Sequence, residues 1–225
     1  HDGSLSEEMT AEKIIIDVGA RTNLPEITGR EATGYICSET LFGDKYPKQP
    51  YKSLIIVGGG PIGCEFSHIF AAAGTKVTVV QHNNRLLSKA DEDISEQIRQ
   101  NMEAFGIKTY LNANLLEAKK ADDQKILLFE DRETGERIEV TGEEIMYATG
   151  IKPVSKELKI ENTSIEMDER GWIKTNEFLE TSVNGIWAIG DINGQPAFRH
   201  KANYEADILA HNLFGGNEPG KWRWA

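Results

Sequence analysis

Apolar residues in this chain fall into short runs closed by glycine, alternating in its first half with two segments of helical spacing. Lys13 to Val18 is an apolar run ended by Gly19, the pattern of a strand buried on both faces. Leu54 to Val57, Lys76 to Val80 and Ile107 to Leu111 predict three more strands. Between the first two of these, Ile62, Phe66, Ile69, Phe70 and Ala73 recur every three or four residues and predict a helix, with Pro61 suited to its first turn and Gly74 to its C-terminal cap. Asp91 to Phe105 predicts a second helix. Its acidic first turn, Asp91, Glu92 and Asp93, suits the positive end of a helix dipole, and Ile94, Ile98 and Met102 turn inward. The alternation then stops. Leu115 to Glu143 holds three strand-like runs broken at Asp122-Asp123 and Thr134-Gly135, which predict an antiparallel meander. Glu144 to Ala148 and Gly185 to Ile189 follow as strands, and a last helix from about His200 to Leu213 aligns Ala202, Ala206, Leu209 and Leu213.

The turn-rich stretch from Asn23 to Ser53, carrying Pro25, Gly29, Gly34, Gly43, Pro47 and Pro50, suits a connection and places a boundary near Tyr51. At 225 residues the chain is long enough for one to two domains. Its 25 basic and 36 acidic residues give a net charge of −11, which argues against nucleic acid or an anionic membrane as the main partner. No apolar run approaches the roughly 20 residues of a membrane-spanning helix. Cys37 and Cys64 fit neither a disulfide framework nor a metal knuckle, so a reducing compartment, the cytoplasm, is expected, with no metal site.

The chemistry-bearing motif is Gly58-x-Gly60-x-x-Gly63, placed between a predicted strand and helix. In that context the first glycine makes a tight turn, the second admits a pyrophosphate against the backbone, and the third lets the helix pack on the strand. The diphosphate would rest on the helix N-terminus, so the loop, Pro61 and Ile62 included, is a candidate NAD(P)H site. A carboxylate commonly ends the next strand and accepts the ribose hydroxyls of NAD; this chain has Gln81, then His82, Asn83, Asn84 and Arg85. Gln81 can bond a ribose hydroxyl without repelling a 2′-phosphate, and His82 or Arg85 can pair with that phosphate. The same residues also read as a solvated polar turn, and NAD and NADP both stay open.

With these residues in hand, the sequence resembles the pyridine nucleotide-disulfide oxidoreductases, the flavoprotein family of dihydrolipoamide dehydrogenase, glutathione reductase and mercuric reductase. Lys13 to Pro25 resembles the segment where the family's flavin domain reads Ala-Thr-Gly-Ser-Arg-Pro, and Gly58 to Glu65 its NAD(P)H fingerprint. Tyr147-Ala-Thr-Gly-Ile-Lys-Pro153 resembles the end of its NAD domain, and Thr181 to Asp191 its second flavin-binding segment. The resemblance implies an α/β fold: a Rossmann-like NAD(P)H-binding domain over residues 51–150 with a three-stranded meander, flanked by partial FAD-binding segments at 1–50 and 151–225. It also implies that Gly150 borders the NAD(P)H site, that Glu65 sits beside the nicotinamide, and that Asp191 bonds the ribityl chain of FAD ahead of a helix aimed at the flavin. The family's Cys-x-x-x-x-Cys pair, its first Gly-rich FAD motif and its dimerisation domain with a His-Glu pair do not occur in the sequence, and His200 does not match that histidine. The chain therefore reads as a fragment with no catalytic residue of its own, inactive alone, from a homodimeric parent that passes electrons from NAD(P)H through FAD to a disulfide. Alternatives are a mercuric reductase-like or other acceptor on the same scaffold, and a non-catalytic NAD(H) sensor.

Overall fold

The computed structural model describes residues 9–194, 196–215 and 219–222, so residues 1–8, 195, 216–218 and 223–225 of the expected flanking segments lie outside it. In chain order the strands and helices are β1 (Ile14–Ile16), β2 (Ala20–Thr22), α1 (Arg30–Thr33), α2 (Ser38–Leu41), β3 (Ser53–Val57), α3 (Pro61–Ala72), β4 (Lys76–Val80), α4 (Glu92–Ala104), β5 (Lys108–Tyr110), β6 (Ala113–Ala121), β7 (Gln124–Asp131), β8 (Arg137–Gly142), β9 (Glu144–Tyr147), β10 (Ile151–Pro153), β11 (Ile186–Ala188) and α5 (Arg199–Ala210). The chain divides into two compact units: residues 22–151, and residues 1–21 with 152–225.

The first of these units is built on a four-stranded parallel sheet in the order β5-β4-β3-β9. Its central strand shows why a continuous apolar run is required. Leu54 and Ile56 face one core with Phe66, Phe70 and Met102 of the helices, while Ile55 and Val57 face a second core with Leu127, Phe129 and Val140 of the meander. All four strand residues are 2% exposed or less. Helices, parallel sheet and antiparallel meander (β6-β7-β8) therefore form three layers, with the loops after β3 and β4 at the carboxyl ends of the strands.

Residues 22–50, expected as a connection, pack within this unit. Ile36, 1% exposed, donates its N–H to Ile145 O and accepts from Tyr147 N–H, both at 2.9 Å, extending the sheet beyond β9 by one bridge. Tyr35 sets its ring edge-on to Tyr147, and Thr28 bridges to Glu117 of the meander. The boundary expected near Tyr51 thus moves to Arg21/Thr22. A turn-rich composition marks irregular backbone, and backbone of that kind can still add a bridge and an aromatic contact to a core.

The helix faces also shift from their sequence reading. On α3 the buried side chains include Cys64, Phe66, Ser67 and Phe70, while Ile69 is 58% exposed. On α4 Met102 is fully buried with Ser95, and Ile94 is 50% exposed. On α3 Phe66 and Phe70 make the core contact beside Cys64, and on α4 Met102 does so while Ser95 Oγ donates to Leu87 O in the loop after β4, so Ile69 and Ile94 face outward.

In the second unit β1 pairs in parallel with β11, and β2 and β10 form a separate two-stranded sheet. Ile16, Val154, Ile173, Ala188 and Ile192 share a core there. β1 is not buried on both faces as expected, because β11 is its one pairing partner among the described residues; Ile14 and Ile15 are 43% and 45% exposed. The stretch from Val154 to Gly185 is mostly turns and isolated bridges.

Candidate functional site

The loop after β3 is fixed by what its glycines lack. Gly58 has φ +110°, and a Cβ there would stand 2.3 Å from Ala148 O; a Cβ on Gly63 would stand 1.9 Å from Gly58 O. Both positions exclude a side chain because backbone meets backbone. Gly60 is the opposite case: it caps α3 with extended backbone, φ −78° and ψ −175°, and a Cβ there would meet nothing within 4 Å. The loop therefore closes on the protein at Gly58 and Gly63 and stays open at Gly60.

That opening faces the start of α3. The first intrahelical bond runs from Cys64 N–H to Gly60 O at 2.9 Å, Pro61 has no N–H, and no side chain caps the helix. The N–H groups of Ile62 and Gly63 thus carry no backbone partner, at the positive end of a twelve-residue helix. Pro61 is exposed and Ile62 half-buried. The donor set, the dipole and the vacant space at Gly60 fit an anionic diphosphate.

Bonds to the loop hold its shape. Gly58 N–H donates to Val80 O (2.9 Å), Leu87 N–H to Gly59 O (2.8 Å), and Ser67 Oγ to Gly63 O (2.5 Å). Cys64 Sγ lies 3.6 Å from Gly59 O, and burial, with the Glu65 carboxylate nearby, pushes its thiol up to about 11. Cys37 is likewise a free, buried thiol.

Gln81 is 7% exposed and its amide is drawn inward: Oε1 accepts from Gly59 N–H at 2.8 Å, and Nε2 donates to Arg85 O at 3.2 Å. It braces the loop, a role the sequence did not announce. His82 is exposed and offers its carbonyl to Arg132 Nη2 at 2.6 Å. Arg85 is half-buried, with Nη2 donating to Ser88 O (3.0 Å) and Nη1 lying 3.4 Å from Glu92 Oε1. Arg85 borders a groove of about 640 Å³, lined also by Asn83, Glu92, Asn112, Arg132 and Glu133 among others. The sequence reading omitted Arg132 and Asn112, which follow β7 and β5 and reach the groove through the fold.

Glu65 is exposed on α3, and Gly150 is exposed at φ +92° with its carbonyl accepting from Asn23 N–H at 2.8 Å. In the other unit Asp191 is half-buried in the turn after β11. That turn is clamped by a network the sequence reading missed. Lys201 and Glu205, both fully buried, pair at 3.1 Å; Lys201 Nζ donates to Gly190 O and Asn193 Oδ1, while Glu205 accepts from Gly190 N–H and Asn193 Nδ2. The inward face of α5 is thus Lys201, Glu205, Ile208 and Leu209, and Ala206, expected on it, is exposed.

The residues of this loop and this turn lie within one matched stretch. Residues 2–206 match the pyridine nucleotide-disulphide oxidoreductase family. The chain belongs to that family. Pyridine nucleotide-disulphide oxidoreductases use NAD(P)H and FAD, and the fold is the α/β fold of this family. The chain is 36% identical over 212 residues to a dihydrolipoyl dehydrogenase of Acholeplasma laidlawii, covering 92% of this chain and 59% of that one. It is 31% identical to a mercuric reductase of Bacillus cereus, covering 93% and 32%. Among solved structures, the HOCl-induced flavoprotein disulfide reductase RclA from Escherichia coli superposes with a TM-score of 0.81 at 29% identity, covering 93% of this chain and 46% of that one. The chain thus spans between about a third and three fifths of these relatives. No helix among the described residues is long and apolar enough to cross a membrane.

Proposed function

We propose that residues 22–151 are the NAD(P)H-binding part of an FAD-dependent disulfide oxidoreductase and that the other unit contributes to holding FAD. The observation that carries the first half is the open position at Gly60 between two closed glycines, beside the unpaired N–H groups of Ile62 and Gly63. These groups bind the diphosphate by hydrogen bonds and dipole, and Gln81 keeps the loop in shape by accepting from Gly59 N–H. Glu65, exposed on the same helix, stands beside the nicotinamide, and Gly150 borders it. For FAD, Asp191 accepts from the ribityl hydroxyls, and the buried Lys201–Glu205 pair holds the Gly190 backbone before it and the Asn193 side-chain amide after it. When both groups are bound, NAD(P)H supplies a hydride that the flavin accepts and passes on as electrons to a disulfide. The residues named here bind and orient; none of them exchanges a proton with substrate. The parent is proposed to act as a homodimer on a small-molecule substrate.

The test is a titration of the purified 225-residue chain with NADH and NADPH, followed by nicotinamide fluorescence. Saturable enhancement at one coenzyme per chain is the expected result. No binding of either would remove the reading.

A further inference from the structure

The Gly58 loop can seat a diphosphate without choosing between the two pyridine nucleotides, which differ by one phosphate on the adenosine ribose. Selection therefore falls to residues beyond the end of β4. Gln81 is poorly placed to make it, because Gly59 N–H and Arg85 O take its two polar atoms. What remains is the groove beside it, whose two cations differ in how their charge is met. Arg85 faces Glu92 at 3.4 Å and bonds to Ser88 O. Arg132 has no carboxylate in ion-pair range among the described residues. Two main-chain carbonyls hold its guanidinium instead: Nη2 donates to His82 O at 2.6 Å and Nε to Asn112 O at 3.4 Å. Its Nη1 is left with both N–H donors. The neighbouring Glu133 carboxylate accepts from Asn112 Nδ2 at 2.8 Å. Carbonyl dipoles position a guanidinium without cancelling its charge, and a fork held in place loses little freedom on meeting a phosphate.

We propose that Arg132, on the β7–β8 hairpin, is the specificity-determining residue for the coenzyme and receives the 2′-phosphate of NADPH in the groove it shares with Arg85. The assignment rests on the dinucleotide reading above. It gives the meander, which would otherwise only cover the sheet, a part in choosing the coenzyme. The absence of an acid at Gln81 agrees with it, since a carboxylate there would repel the phosphate.

The hairpin does not depend on the Arg132 side chain, because Asp131 Oδ1 accepts from Glu133 N–H (2.8 Å) and Thr134 N–H (3.1 Å) and fixes the turn. The experiment is calorimetric titration of the 225-residue chain and its Arg132→Ala and Arg132→Lys variants with NADPH, NADH, 2′-AMP and 5′-AMP at low ionic strength. The wild-type chain is expected to prefer NADPH over NADH and 2′-AMP over 5′-AMP. Arg132→Ala should weaken the two 2′-phosphates about tenfold and leave NADH and 5′-AMP within about twofold, the loss of one charge-assisted contact. Arg132→Lys should recover part of the loss, and added salt should shrink the preference. Equal weakening of NADH and NADPH would reduce Arg132 to a structural role and overturn the assignment, as would an unchanged preference or a wild-type preference for NADH. If the wild-type chain binds neither coenzyme, the dinucleotide reading fails and the assignment falls with it.

Discussion

Substitution of Gly60 and Gly63 by alanine separates what the loop needs for folding from what it needs for binding. At Gly63 the added Cβ would lie 1.9 Å from Gly58 O and 3.0 Å from Gly58 C, so the helix start or the turn must move. No flexible side chain is there to yield. Overpacking of a well-filled site costs about 1–3 kcal/mol, and a backbone collision belongs at the upper end. In a chain of this length that lowers Tm by roughly 6–10 °C. At Gly60 the Cβ meets nothing and the backbone is ordinary. Reduced freedom of the unfolded chain stabilises Gly60→Ala by about 0.4–1 kcal/mol, and the poorer N-cap offsets a similar amount. Its Tm should stay within about 3 °C of wild type. Binding behaves in the opposite way, because the methyl group occupies the space assigned to the diphosphate and displaces a charge-assisted hydrogen bond worth about 1.5–3 kcal/mol. Calorimetric titration should show NADH and NADPH weakened about tenfold to a hundredfold. A folded Gly60→Ala chain with wild-type affinity would refute the seating of the diphosphate on this loop, and an unchanged Tm in Gly63→Ala would refute the steric account.

Two further outcomes test other parts of the chain. Lys201→Met leaves the Glu205 carboxylate buried without its cation and should cost about 3–5 kcal/mol in urea unfolding, with part recovered by adding Glu205→Gln; a wild-type midpoint for the single variant would contradict the buried pair. The Cys64 thiol is raised by burial from the ordinary 9.0 to about 11, so its contribution to stability is complete below pH 9 and is lost as pH rises toward 11. Thermal unfolding from pH 7 to 11 should show a loss on the order of 2–3 kcal/mol that Cys64→Ala flattens, and thiol labelling of Cys64 in the native chain at pH 8 should be slow.

The layer order was legible because strand and helix periods are local. The apolar run at Leu54 to Val57 says that both faces are covered, and both faces are. Helix faces were less legible. Counting large aliphatic residues assigned Ile69 and Ile94 to the core, yet the approach of α3 to the sheet leaves room for Cys64 and Ser67, and α4 buries Ser95. On α5 the expected face included Ala206 for another reason: nothing local marks Lys201 and Glu205 as inward, and the turn at Gly190–Asn193 supplies the partners that make their burial tolerable.

The candidate site divides in the same way. The glycine spacing was readable because each glycine answers a steric demand made within a few residues of itself. Gln81 and Arg132 were not readable in their roles, since each depends on a partner fixed by tertiary structure: Gly59 N–H for one, the carbonyls of His82 and Asn112 for the other. His82 and Arg132 are 50 positions apart, and they meet because β4 and β5 run parallel and the β7–β8 hairpin folds back over their carboxyl ends. The two sets of residues therefore control different properties of binding. Changes at Gly58, Gly60 or Gly63 act on whether a dinucleotide is held, and changes at Arg132 act on which one, so a double variant Gly60→Ala/Arg132→Ala should show additive losses for NADPH and no further loss for NADH beyond Gly60→Ala alone.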